Sequence, residues 1–78
     1  MSKNPIFTVV LEPDVGGGFT VRVPALPEIV SWGADEDGAL AMAQDAIRLV
    51  AEDRAARGEP APRGEPPRIR TVTVTMAA

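Results

Sequence analysis

Short stretches in which apolar and polar residues alternate fill the first 33 residues of the chain, a pattern typical of β-strands. In the first stretch Phe7, Val9 and Leu11 point to one side, and Ile6 and Val10 point to the other. A strand that is apolar on both sides is usually covered on both sides, so this pattern predicts that a single covering layer is not enough. The stretches predicted as strands are 5–12, 19–23 and 28–33.

The connections between these strands are rich in glycine and proline. After the first strand, Gly16, Gly17 and Gly18 predict a hairpin turn, because glycine adopts positive φ without strain. A phosphate-binding loop would need a helix directly after the glycines, and a strand pattern follows instead, so we favour the hairpin. Pro24 and Pro27 bracket the next connection and make it a stiff corner.

The segment from Asp35 to Arg57 has the only sustained helical periodicity in the chain. Asp35 is placed to cap its N-terminus, and Gly58 is placed to end it in a left-handed conformation. One face of the predicted helix is charged, whereas the other is apolar and must pack on the sheet. The apolar face consists of Ala39, Leu40, Ala43, Ala46, Ile47 and Val50.

A proline-rich linker, 58–67, follows the helix and leads into a last alternating stretch, 68–76, which predicts a fourth strand. The predicted order is β-β-β-α-β, and the 78 residues form a single domain, 1–78. We therefore predict an α+β fold in which one helix backs a four-stranded, mostly antiparallel sheet. A domain this short buries only about 60–65% of its extended surface, so it is marginally stable by itself.

Composition narrows the chemistry that the chain can perform. The sequence has no cysteine and no histidine, which removes disulfides, thiolate metal sites and the commonest general base. No apolar run resembles a signal peptide or a membrane span, so we expect a cytoplasmic protein that does not associate with membranes. We predict no enzymatic activity, no metal site and no cofactor.

Charge is unevenly distributed along the chain. Residues 1–53 hold three cations and nine carboxylates, a net charge of −6, whereas residues 54–78 hold five arginines and two glutamates, a net charge of +3. An acidic body suits a basic partner, although ordinary solvation of surface elements explains the same pattern. The arginines are not interleaved with aromatic residues, so direct DNA binding is not expected. They are Arg54, Arg57, Arg63, Arg68 and Arg70.

Several short motifs follow one another along nearly the whole chain. They are an aromatic with alternating apolar residues, an acidic-glycine turn, a Val-Pro-x-Leu-Pro corner, a glycine before the helix, an Ala-Leu-x-x-Ala-x-x-Ala-Ile helix and a Gly-x-Pro-x-Pro exit. The residues that carry them are Phe7, Val9, Asp14, Gly17, Gly18, Val23, Pro24, Leu26, Pro27, Gly33, Ala39, Leu40, Ala43, Ala46, Ile47, Gly58, Pro60 and Pro62. Their order and spacing resemble the HicB-type antitoxins of bacterial toxin–antitoxin pairs. The chain departs from that pattern at Glu28 and Ile29, where the family often has glycine and cysteine, at Asp35 and Gly38, and at Trp32.

The resemblance implies a fold similar to a truncated ribonuclease H domain and a role in neutralising a toxin. It implies as partner a small basic ribonuclease of the HicA type, whose RNA-binding and catalytic surface the antitoxin covers. Ribonuclease H chemistry needs several carboxylates that converge on metal ions, and Glu12 and Asp45 are not placed to converge, so no nuclease activity is expected. Many family members carry a DNA-binding segment after the last strand, and we expect none here.

Two functional hypotheses follow from the sequence. The first is an antitoxin-like module that binds a HicA-type toxin, and the alternative is a solitary, self-associating structural or regulatory domain with no toxin partner. Both predict a homodimer or tetramer, because one helix covers only one face of the sheet. Trp32 fits a place in the core or over a sheet edge, and it also fits an interface anchor. The residues predicted to form the partner or oligomer interface are Ile6, Val10, Val30, Trp32, Met42 and Leu49.

Overall fold

A computed structural model describes residues 5–62 and 66–77 of the chain. It shows an α+β fold in which one helix lies over a three-stranded antiparallel sheet with the strand order β1-β2-β3. The elements are β1, Val10–Pro13; β2, Phe19–Arg22; β3, Val30–Gly33; and α1, Glu36–Ala56. The predicted fold class, the first three strands and the helix are confirmed.

The first strand is shorter than predicted. Its ladder with β2 begins at the pair Val10 and Arg22, so the predicted residues 5–9 lie before the first paired position. The chain leaves β2 at Arg22 and reaches Pro24 two residues later, where the missing backbone N–H cannot extend the ladder. Strand length was therefore limited by the neighbouring strand and not by the sequence of the first strand.

The triple-glycine segment forms the predicted hairpin between β1 and β2. Gly17 and Gly18 have φ values of 102° and 78°, which side chains other than glycine adopt only with strain. The backbone N–H of Asp14 donates to the carbonyl of Gly18 at 3.0 Å, and the Thr20 hydroxyl donates to the Asp14 carboxylate at 2.8 Å. These bonds close the loop and fix the register of the two strands.

The strand register gives the sheet two different faces. Leu11, Val21 and Ser31 lie opposite one another across the three strands on the side that α1 covers, called here the helix-side face. The alternate residues point away from the helix and form the outer face of the sheet. The outer face consists of Val10, Glu12, Thr20, Arg22, Val30 and Trp32.

The core lies between the helix-side face and α1 and has two parts. In the first, Val21 packs against Ala39 and Ala43, and all three are almost completely buried. The second is built on the proline-bracketed corner, where the N–H of Leu26 donates to the carbonyl of Val23 at 2.9 Å and turns the leucine side chain inward. Leu26 is fully buried there, and it clusters with Val23, Ile29 and the half-buried helix residues Ala46, Ile47 and Val50.

Both ends of α1 are capped as predicted. The Asp35 carboxylate accepts from the Gly38 N–H at 2.7 Å, and so satisfies one of the free donors of the first turn. At the other end Gly58 has φ of 72°, and the N–H of Glu59 donates to the carbonyl of Arg54 at 2.9 Å. This pattern is the Schellman motif, which satisfies carbonyls that would otherwise lack a partner.

The predicted fourth strand, 68–76, is not part of the sheet. Residues 66–77 form no strand, and all of them are exposed in the described structure. The alternating sequence marks a segment that suits a strand, but a strand forms only where another backbone pairs with it. A four-stranded, truncated ribonuclease H-like sheet is therefore not observed in the described residues.

Some of the predicted ranges extend beyond the described residues. The domain prediction, 1–78, includes residues 1–4, 63–65 and 78, and the linker prediction, 58–67, includes 63–65. Arg63 lies in the same gap. Within the described part of the linker, Pro62 is buried.

Candidate protein-binding surface

The outer face places apolar side chains on both sides of a charged centre. Val10, Arg22 and Val30 form one row across the three strands, and Trp32 ends the neighbouring row. Val30 is 57% exposed and Trp32 is 51% exposed, whereas Val10 is half-buried. Two large apolar side chains on one strand thus stay open to solvent while the opposite face of the sheet carries the core.

The indole of Trp32 is held against the backbone of the hairpin. A methyl group on Gly18 would collide with the indole Cζ2 and with the carbonyl oxygen of Gly33, so the ring fits here because Gly18 has no side chain. The ring is therefore packed on one side and open on the other. A side chain that is already positioned loses little conformational freedom when a partner covers it.

A single ion pair occupies the centre of the outer face. The Nε of Arg22 donates to Oε1 of Glu12 at 2.8 Å, and both side chains are more than half exposed. An exposed pair of this kind contributes at most about 1 kcal/mol to stability. Its main effect is to leave the outer face locally neutral between its apolar margins.

A groove of about 310 Å³ runs beside this ion pair. One wall is made by the side chains of the outer face, and the other by the stiff corner that follows β2. Its size is at the low end for small-molecule pockets and suits one or two side chains of another protein. The lining residues are Val10, Glu12, Arg22, Val23, Pro24, Pro27 and Ile29.

The exposed side of α1 is a separate, largely charged surface. Met42 and Leu49 are 55% and 57% exposed on it. Arg48 hydrogen-bonds to Asp45 and lies 3.5 Å from Glu52; the Asp45 hydrogen bond, followed by the charges of Asp45 and Glu52, raises the pKa of Arg48 above its usual value. These charged side chains surround the two apolar ones and keep this side of the helix well hydrated.

The six predicted interface residues therefore do not form one surface. Val10, Val30 and Trp32 come together on the outer face, whereas Met42 and Leu49 lie on the helix layer on the opposite side of the sheet. Ile6 lies before β1 and is 97% exposed. An interface on the outer face would use three of the six residues.

The sequence did not reveal every residue of this surface. Glu12 has the same strand parity as Val10 and could have been assigned to it, but we considered Glu12 only as a nuclease carboxylate. Thr20 and Arg22 enter the surface through the register of β2 with its two neighbours, which the sequence of β2 does not specify. Asp45, the other carboxylate considered for nuclease activity, lies on the helix layer and is bonded to Arg48.

Two other kinds of site are absent from the described residues. No group of three or more histidine, cysteine, aspartate or glutamate side chains in that part of the chain is arranged to hold a metal ion. No helix there combines the length and the apolar character needed to cross a membrane.

Comparison with known proteins gave no match: no family model matches the sequence, and neither a curated protein nor a solved structure is similar to it. The class that the geometry defines is an α+β domain with a half-exposed tryptophan on the uncovered face of a small sheet.

Proposed function

We propose that this chain is a protein-binding module that acts as a HicB-type antitoxin. Its partner is a small basic ribonuclease of the HicA type, and binding covers the RNA-binding and catalytic surface of that toxin. The chain itself performs no catalysis in this proposal and needs no metal or cofactor. The proposal also includes a cytoplasmic location and a sheet that gains its fourth strand, 68–76, to become truncated ribonuclease H-like.

The observation that carries the proposal is the pairing of Trp32 with Val30 on the outer face. Tryptophan is enriched among the residues that contribute most to binding energy, especially where it is fixed before binding and surrounded by residues that exclude water. Trp32 is fixed by its contact with Gly18 and is 51% exposed. The neighbouring groove beside Arg22 offers a place for a side chain of the partner.

The charge distribution supports a basic partner. The segment 1–53 has a net charge of −6, and the carboxylates of Asp35, Glu36 and Asp37 at the start of α1 are exposed. Opposite charge speeds the encounter of two proteins more than it tightens their complex. The association rate with a basic toxin should therefore fall as salt is added, whereas the dissociation rate should change little.

The proposal predicts that a small basic ribonuclease is encoded beside the gene for this chain, and the experiment measures the cleavage of RNA by the product of that reading frame. We expect stoichiometric addition of the chain to stop cleavage. Val30→Asp should raise the concentration needed for half inhibition at least about tenfold, because a tenfold change corresponds to only about 1.4 kcal/mol and a charge would be buried at the interface.

The control for that variant is Val15→Asp. It makes the same substitution at a fully exposed valine in the hairpin loop, outside the strands that form the outer face. It should inhibit like the natural chain. A neighbouring ribonuclease that stays fully active at a large excess of the chain would contradict the proposal.

A second candidate function is favoured by the exposed segment 66–77. A solitary domain that only associates with itself would bury the apolar side chains of that segment without any toxin. This candidate predicts a stable oligomer together with no effect on the neighbouring ribonuclease. The inhibition assay distinguishes the two functions, because both of them predict an oligomer.

A further inference from the structure

The segment 66–77 lies away from the rest of the domain. Its apolar side chains are among the most exposed in the described structure, with Val72 85%, Val74 68% and Met76 81% exposed. The radius of gyration is 15.7 Å, against about 11.5 Å expected for a compact chain of this length. A row of large apolar side chains open to water indicates that something covers it.

The sequence of this segment suits a β-strand. Val72, Val74 and Met76 alternate with threonines, so an extended backbone would carry one apolar side and one hydroxyl side. Valine and threonine are both strand-favouring residues. The threonines are Thr71, Thr73 and Thr75.

The sheet has one edge that suits an additional strand. The order β1-β2-β3 leaves β1 and β3 as its edges, and α1 packs over β3 and β2. Phe7, Val9 and Leu11 contact the core but stay half-buried beside the edge of β1. An extra strand at this edge would complete the core, and the unpaired backbone groups of β1 are free to bond it.

The linker before the segment is rich in proline. It contains four prolines, Pro60, Pro62, Pro66 and Pro67, which favour an extended backbone and resist a sharp reversal. Pro62, in the described part of the linker, is buried. An extended linker makes it harder for the segment to fold back on its own sheet, and the exchange of an identical element between copies is a low-cost route to a dimer.

We propose that the segment 68–76 of one copy pairs with the edge of β1 in a second copy, and that the exchange is reciprocal. Each copy then gains the fourth strand that the sequence predicts, in a dimer with twofold symmetry. The charges agree with this arrangement, because Arg68 and Arg70 approach a body whose residues 1–53 have a net charge of −6. This inference does not depend on the toxin.

The alternation of side chains along 68–76 and along β1 fixes which side chains meet in the proposed pair. The core of the second copy lies on the helix-side face, so Val72, Val74 and Met76 should point to that face and lie beside Val9 and Leu11 of the second copy. The threonines should continue the outer face. This orientation places the apolar side of the segment against the half-buried side of β1.

The first test uses two neighbouring proline substitutions in the full chain. Successive N–H groups of a strand point to opposite edges, so one of Thr73→Pro and Val74→Pro must remove a hydrogen bond to β1. We expect that variant to sediment as a monomer of 8.2 kDa while the natural chain sediments at twice that mass. Thr73→Val and Val74→Ile keep the N–H groups and should stay dimeric.

The proline variants should still fold, because the segment contributes nothing to the described core. The fluorescence of Trp32 and the helical circular dichroism should be unchanged. If both proline variants stay dimeric, or if the natural chain is a monomer, the inference is wrong.

The second test shows whether pairing is between copies. Natural chain labelled with ¹⁵N is unfolded and refolded together with unlabelled Thr75→Cys chain that carries a nitroxide. Line broadening at the amides of Thr8, Val9 and Val10 in the ¹⁵N chain supports the exchange, since the nitroxide is present only on the other copy.

Two outcomes of this second test overturn the inference. If the amides of 68–76 are protected from hydrogen exchange but the nitroxide causes no line broadening in the other copy, the segment pairs with its own β1. If no amide of 68–76 is protected from hydrogen exchange, the segment pairs with no strand. In both cases inhibition of the neighbouring ribonuclease can still be measured, so the proposed function is tested independently of the strand exchange.

Discussion

The backbone of Gly33, at the end of β3, lies directly against the backbone of Ala39 in the first turns of α1. A methyl group on Gly33 would collide with the N and Cα atoms of Ala39 and with the carbonyl carbon of Gly38. Ala39 is fully buried at this contact and packs on Val21 of the sheet. The missing side chain of Gly33 thus sets how closely the helix approaches the sheet, and through it the thickness of the core.

This contact predicts that Gly33→Ala destabilises the domain. The colliding atoms are backbone atoms that cannot rotate away, so we expect the free energy of unfolding to fall by about 2–3 kcal/mol, as for overpacked cores. Gly16→Ala is the control, because nothing lies within 4 Å of a methyl group there, and it should be neutral or stabilising by up to about 1 kcal/mol. Urea unfolding followed by circular dichroism measures both, and equal stabilities would contradict the role given to Gly33.

The proline-bracketed corner is expected to be a main source of stability. Leu26 is fully buried there, so Leu26→Ala should cost about 2–5 kcal/mol through lost contacts and the cavity it leaves. Leu49→Ala makes the same substitution at a helix residue that is 57% exposed, and it should cost less than about 1 kcal/mol. Thermal unfolding of the two variants gives the comparison, and a small loss at Leu26 would show that the corner is not part of the cooperative core.

The N-terminal cap of α1 can be tested at one position. Asp35→Ala removes the acceptor for the Gly38 N–H and should lower stability by about 1 kcal/mol. Asp35→Ser supplies another capping oxygen and should recover most of that loss. Unfolding of the three chains in urea checks the order, and a serine variant as unstable as the alanine variant would exclude a capping role.

The position of the indole can be followed by fluorescence, since Trp32 is the only tryptophan. Gly17→Ala and Gly18→Ala both force a side chain into positive φ, at 102° and 78°, so both should lose roughly 1–2 kcal/mol of stability. Only Gly18→Ala also adds a methyl group where the indole lies. We expect a red shift of the emission maximum in that variant alone, because the ring moves further into water.

An inhibition assay on the same two variants tests whether the indole takes part in the proposed function. Gly18→Ala should weaken inhibition of the neighbouring ribonuclease more than Gly17→Ala does, because only the first displaces the proposed anchor. Equal inhibition by both variants would separate Trp32 from the interface while leaving the structural prediction intact.

Local patterns in the sequence predicted most of the fold. The caps at Asp35 and Gly58 and the hairpin at Gly17 and Gly18 were all found from short-range rules, and the structure confirms them. Such features depend on the backbone preferences of a few neighbouring residues and on hydrogen bonds that form within one turn. The alternation of side chains along β3 likewise places Val30 and Trp32 together, on the side opposite Ser31.

The candidate site was less predictable because it depends on pairing between distant strands. Arg22 reaches Glu12 across the sheet only because the register places them on neighbouring strands of the same face. Met42 and Leu49 were predicted to extend the same interface as Val30 and Trp32, although they lie on the helix layer. Apolar character alone could not tell which of the two layers would present each residue.

The sequence by itself determined the limits of the helix and the position of the hairpin turn, because capping and turn rules act over short distances. Only the tertiary structure decided how many strands belong to one sheet. The segment 68–76 has the alternation of a strand, yet within the described residues it pairs with none, because a strand needs the backbone of another strand to complete its hydrogen bonds.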